Sequence, residues 1–247
     1  RTQFARHHLG QYACLADSAM SAYLPTIAEF SCGLAPSGAL KSPRLLYVST
    51  DAGTQTLDHA EAELDAVRGI LRDVAVTHLS GADATIEAVG NALPGHPFLH
   101  VTAHGSASAE AFASGVRLAD GVLTLGHLAD LQVARGELAV FLTCDSARGS
   151  AALPNEALHV AGAAMQTGYP NVVATSIPLR DSSAVTIATA IYTAVAGARE
   201  GEVGEAVARA MHDALAVIRD EPTCATDPLQ WAPLAYFGWG CNEVAMP

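Results

Sequence analysis

Lysine and arginine are scarce, 13 against 25 aspartates and glutamates, which leaves a formal net charge of −12 over 247 residues. A phosphate backbone or an anionic lipid surface needs clustered cations to displace its counterions, so nucleic acid and membrane are poor partners for this chain. Aromatic residues make up only 6%, which argues against a stacking platform for single-stranded nucleic acid. No apolar run reaches membrane-spanning length, and no charged start leads into an apolar signal core. The five cysteines, at 14, 32, 144, 224 and 241, are an odd number with no CxxC ladder. They imply neither a disulfide framework nor a zinc ribbon, and a reducing, cytoplasmic setting is the simplest expectation. Also missing are a GxxxxGK phosphate loop and an HExxH pair, so nucleotide hydrolysis is weakened and no metal or cofactor is expected. The chain begins at Arg1 rather than Met and is expected to belong to something longer.

What the chain does have is apolar material in short, regular pieces. Half of it is hydrophobic, enough to fill a sizeable core in a single domain over 1–247. Apolar runs with β-branched content recur at 44–49, 74–79, 98–103, 138–143, 171–176 and 234–238, and they read as strands. Between them lie helical patterns over 56–71, 84–93, 156–168, 182–196 and 202–218. Such alternation predicts an α/β fold, a mostly parallel sheet of about six strands with helices on both faces. Asp181, Ser182 and Ser183 offer capping oxygens ahead of one apolar run that Gly197 stops. Residues 115–125 read as two extended pieces around Asp120-Gly121, a hairpin signal. Residues 1–42 are the least regular.

Two stretches carry chemistry. "FLHVTAHGSA" brings a strand pattern to its end at His104-Gly105, and "LAVFLTCDSA" does the same at Cys144. Functional residues of an open parallel sheet gather beyond the carboxyl ends of its strands. If these two strands are neighbours, about 4.8 Å apart, an imidazole and a thiol at their ends can meet. A histidine that takes the proton of a thiol makes it a strong nucleophile, and can later protonate an amine leaving group. The backbone N–H groups of Gly105 and Cys144 could receive the negative charge that develops on an attacked carbonyl oxygen. The residues alone leave this pair open against a packed thiol and a loop-bonded histidine.

The segments carrying these residues resemble, in order, the CHAT domain family of caspase- and separase-like cysteine peptidase domains, often fused to helical repeats. "LHVTAHGSA" resembles the family's His-Gly motif, and 114–149 its hairpin, helix and catalytic-cysteine strand. "NEALHVAGAAMQTGYPNVVATSIPLRDSSA" resembles the segment that follows, and "WAPLAYFGWG" the closing strand. The resemblance implies a caspase-like sheet, His104 as general base, Cys144 as nucleophile and Gly105 as oxyanion donor. It further implies a cysteine endopeptidase acting on protein or peptide substrates, regulated by an upstream, TPR-like helical-repeat region or an activator. The sequence departs from the common pattern around Cys144, where Asp145-Ser146-Ala147 follow, and at Ser176-Ile177-Pro178. Family members without the pair imply a second class, a catalytically silent pseudoprotease that holds a partner peptide in the same cleft.

Three further residues stand near the expected rim. Asp145 could line a pocket that selects a basic side chain, or be a solvated loop carboxylate. Arg180 could bind an acidic side chain, which is the opposite specificity. Asp181 reads as the cap of the next helix. Glu156, Trp231 and Trp239 read as structural, as do His100, His127 and His159, which have no metal-ligand spacing. Cys14, Cys32, Cys224 and Cys241 read as packed thiols.

Overall fold

In a computed structural model the described residues are 4–6, 12–14, 20–24, 43–51, 57–106, 108, 110–143, 159–175, 181–199, 201–221 and 234–238, with side chains excepted at 4–6, 12–14, 111, 181 and 182. The six apolar runs form one sheet. Its strands are β3 (Arg44–Thr50), β4 (Ala75–Ser80), β5 (Phe98–Ala103), β9 (Leu138–Phe141), β10 (Val172–Thr175) and β11 (Leu234–Phe237). Their spatial order is β11-β10-β9-β5-β3-β4. All neighbours pair in parallel except β10 with β11, which are antiparallel. Beyond β11, Tyr23 bridges to Phe237, and Tyr23 N–H donates to the Tyr236 carbonyl at 2.9 Å.

Central parallel strands bury both faces, which is why they read as continuous apolar runs instead of alternating ones. β5 and β9 are buried at every position. The helices that cover them sort by face. Helix α1 (Ala60–Ile70), α5 (Asp181–Gly197) and α6 (Val203–Asp220) contribute Val67, Ile187, Ile191, Val207 and Met211 to one core. That core packs on Leu45, Phe98, Leu138 and Val140. Helix α2 (Ile86–Ala92), α3 (Leu125–Ala129) and α4 (Val160–Thr167) contribute Val89, Leu128, Val160 and Met165 to the other. It packs on Leu46, Val48, Val101 and Phe141. The expected layered α/β sheet with helices on both faces is therefore the observed one.

Boundaries move by a few residues. α1 opens at Ala60, four residues later than its pattern, because Asp58 and His59 form a turn. α5 is described from Asp181 onward. The expected hairpin is present as β7 (Gly115–Leu118) and β8 (Gly121–Thr124), joined by β6 (Gly105–Ser106) in a small antiparallel sheet. A Cβ on Gly115 would run into the Leu123 carbonyl, so glycine is what lets the two hairpin strands close. β1 (Phe4–Arg6) and β2 (Tyr12–Cys14) form a separate two-stranded ribbon.

Candidate functional site

The order of the strands defines a rim. The chain leaves β3 for β4 and returns to β5 on the other side, so the connections reverse between β3 and β5, the place where open α/β sheets carry their ligands. β5 and β9 are neighbours on the next step along. Their register runs Phe98↔Leu138 to Val101↔Phe141, and Leu142 N–H donates to the Val101 carbonyl at 3.1 Å. The two strands that lead to His104 and Cys144 therefore travel side by side in the same direction.

His104 directly follows β5 and is half-buried. Its carbonyl accepts the Arg117 N–H at 2.8 Å. With Gly105 paired to Val116, that bond makes Gly105 and Val116 a pair that exchange no bonds of their own, so the Gly105 N–H points away from β7. The hairpin thus holds the chain on the far side of His104 and leaves the next amide unused by the small sheet.

Cys144 lies outside the described residues, as do Asp145 and Arg180, and the Asp181 side chain is not described. The residue before the cysteine is described: Thr143 is fully buried, and its carbonyl accepts a hydrogen bond from Thr175 Oγ1 of the neighbouring β10. Glu156, Trp231, Trp239, Cys32, Cys224 and Cys241 also lie outside.

Sequence reasoning missed a residue at the rim. One position beyond the last β3–β5 pair, Thr50↔Ala103, come Asp51 and His104. Asp51 is exposed. With Ser49, Thr50, Ser80, Leu57 and Ala60 it lines a shallow depression at the carboxyl ends of β3 and β4. Beneath it, Ser49 Oγ and His78 Nε2 are 2.8 Å apart, and burial, reinforced by Arg68, lowers the pKa of His78. An acidic residue just past a strand end was the available signal.

Four other histidines have structural surroundings. His127 Nδ1 accepts the Thr124 N–H at 3.2 Å, while Thr124 Oγ1 accepts the His127 N–H in return. His159 Nδ1 accepts the Gly162 N–H at 3.0 Å and caps α4. His96 bridges the Ala92 carbonyl and Thr77 Oγ1, and burial lowers its pKa. His100 is sealed inside the sheet's α1 face, with Glu63 Oε1 at 2.7 Å. Among the described residues no three His, Cys, Asp or Glu side chains are grouped to hold a metal ion, and no helix is long and apolar enough to cross a membrane.

The CHAT domain family profile matches residues 4–239. The chain belongs to the CHAT domain family. No curated protein matches this CHAT domain. Among solved structures it is similar to the Arg-specific cysteine proteinase gingipain R, at 13% identity and a TM-score of 0.54, over 79% of this chain and 46% of that one. It is similar also to the complex of the Porphyromonas gingivalis RgpB pro- and mature domains, at 14% identity and a TM-score of 0.54, over 79% of this chain and 47% of that one. The CHAT domain thus spans about half the length of these proteinases and shares their fold, a caspase-like mixed sheet.

Proposed function

We propose that this CHAT domain is a cysteine endopeptidase in which Cys144 is the nucleophile and His104 the general base. The observation that carries the reading is the parallel pairing of β5 with β9, which brings the strand ends leading to these two residues together at the rim. The Cys144 thiolate attacks the peptide carbonyl while its proton resides on His104. The Gly105 and Cys144 N–H groups receive the oxyanion. Collapse of the tetrahedral intermediate breaks the C–N bond, His104 gives its proton to the departing amine, and a thioester remains. His104 then takes a proton from water, whose attack on the thioester releases the acid and regenerates the thiol. Asp145 is proposed for a basic side chain beside the scissile bond and Arg180 for an acidic one, and the substrate decides between them. An upstream helical-repeat region or partner is the proposed regulator, and the cytoplasm the proposed compartment.

Cleavage of a diverse peptide library, read by mass spectrometry with the enzyme reduced, tests the reading. Cys144→Ala and His104→Ala should each lose at least about 10³-fold in kcat/KM. The residue before each cut identifies the pocket charge. If the wild type cuts nothing, with and without its upstream partner, yet Cys144→Ala binds peptides as well as the wild type does, the domain is a peptide-holding pseudoprotease and the proposal fails.

A further inference from the structure

The face of the sheet covered by α1 and α5 holds a closed set of polar side chains that the proposed chemistry does not touch. Glu63 of α1 and His100 of β5 are both completely buried, with Oε1 and Nε2 2.7 Å apart. Thr102 Oγ1 donates to Glu63 Oε2 at 3.1 Å and lies 3.1 Å from the same His100 nitrogen. Its hydrogen being spent on Glu63, Thr102 meets His100 with a lone pair, so Nε2 carries a hydrogen. On the other side of the ring, Nδ1 is 3.0 Å from the Tyr192 hydroxyl of α5. The Tyr47 ring of β3 stacks on His100 with centroids 4.7 Å apart and planes at 10°. Its hydroxyl donates to the Ala60 carbonyl at the start of α1.

Buried polar side chains are a poor source of stability, since apolar ones of similar volume often serve as well or better. They differ from apolar contacts in direction. Hydrophobic burial tolerates a small slide of one element along another, whereas hydrogen bonds weaken steeply once their angles open. Here a ring stack from β3 and a hydrogen bond from α5 converge on one residue of β5, which α1 meets through the close approach of Glu63. Side chains two apart share a face of a strand, so His100 and Thr102 lie on this face of β5, whose last residue, Ala103, directly precedes His104.

We propose that the Glu63–His100 pair, closed by Thr102, Tyr192 and Tyr47, is a positioning device that fixes the height of β5 and thereby holds His104 beside Cys144. The inference rests on the peptidase reading, because it gives the network a task only if His104 serves the thiol. Glu63 and His100 touch no substrate and act through His104 alone.

Three variants test it: Glu63→Gln, Tyr192→Phe, and the paired apolar change Glu63→Leu with His100→Leu. The readouts are the pH profile of Cys144 alkylation by iodoacetamide, mapped on its own peptide by mass spectrometry, and kcat and KM on a cleaved peptide. The expected wild-type thiol alkylates well below the usual pKa of about 8.5. In the folded variants the profile should move back toward an ordinary thiol, and kcat should drop about 10-fold or more with KM within about twofold, as a slightly misplaced catalytic group requires. Folded variants that keep the wild-type profile and kcat overturn the positioning role and leave the peptidase reading standing. An ordinary profile in the wild type removes the peptidase reading and this inference with it. If none of the three variants folds, the network is structural and the proposal fails.

Discussion

The two faces of the six-stranded sheet are built on different principles. Toward α2, α3 and α4 the core is mostly apolar: α4 reads VAGAAMQT and sits against Val101, Phe141, Val172 and Ala174, and the buried Thr167 and Tyr169 hydroxyls donate only to backbone carbonyls. Toward α1, α5 and α6 a similar apolar core surrounds Glu63, His100, Thr102, Tyr47 and Tyr192, a chain of side chains linked through His100 and Thr102. The first face is held mainly by shape, which is strong and without direction. The second adds directed contacts that do little for stability and select one arrangement. Stability and placement of the rim are thus assigned to opposite sides of the same strands.

Deleting a large side chain from the shape-held face should cost most. Phe141 is completely buried at the end of β9, and Phe141→Ala should destabilise by about 4 kcal/mol, from lost transfer energy and the cavity left behind. Tyr192→Phe on the other face removes only a hydroxyl and should cost about 1 kcal/mol. Urea midpoints of the two variants measure the contrast. Equal losses would break the comparison, because the polar network would then be a pillar of stability.

Much of this division is invisible in the sequence, and the reason is distance. Each strand of the sheet was readable because a buried parallel strand is a short β-branched run between helical periods. The position of His104 at the end of one such run was readable too. The pairing of Glu63 with His100 was not: a glutamate inside an amphipathic helix reads as a solvated face, and only the fold brings α1 over β5. Asp51 was missed for a similar reason, since its place beside His104 depends on β3 lying next to β5. The helix α3 has a capping box whose third helical position is His127 where glutamate is the usual signal. Strand order itself is a tertiary outcome, although the expectation that the His104 and Cys144 strands are neighbours needed only one adjacency to hold.

A pH titration sharpens the contrast from the shape-held side. His159 caps α4 through Nδ1, and burial pushes its pKa down to about 4. In the unfolded chain an imidazole titrates near 6.5. Between those values the unfolded state binds more protons than the folded one, so stability falls as the pH drops through the window. The contribution is complete above about pH 6.5 and has nothing further to lose below about 4. Its size is on the order of 2 kcal/mol, since the ring retains some solvent contact. His159→Asn puts a capping oxygen in the place of Nδ1 and removes the titration. Comparing thermal midpoints of the two proteins from pH 7.5 to 4.5 should show a flatter curve for the variant. Parallel curves would mean that the imidazole does not stay neutral in the folded state.

The smallest effect probes where the two principles meet. Helix α2 belongs to the apolar face, and its first turn is held twice: Thr85 Oγ1 accepts the Ala88 N–H at 3.1 Å, and Asp120 Oδ1 accepts the Ile86 N–H at 2.9 Å. Thr85 is a local cap, so Thr85→Ala should lower stability by about 1 kcal/mol and leave kcat unchanged. Asp120 belongs to the turn of the β7–β8 hairpin, the same hairpin whose Arg117 N–H holds the His104 carbonyl. Asp120→Ala should therefore cost less in unfolding free energy, because the carboxylate is exposed, and more in kcat, because it frees the hairpin that aims Gly105. Unfolding midpoints and single-turnover rates on the two variants measure this crossover. If both variants lose stability and rate in the same proportion, the hairpin is only another part of the apolar packing, and placement of His104 falls to the buried network alone.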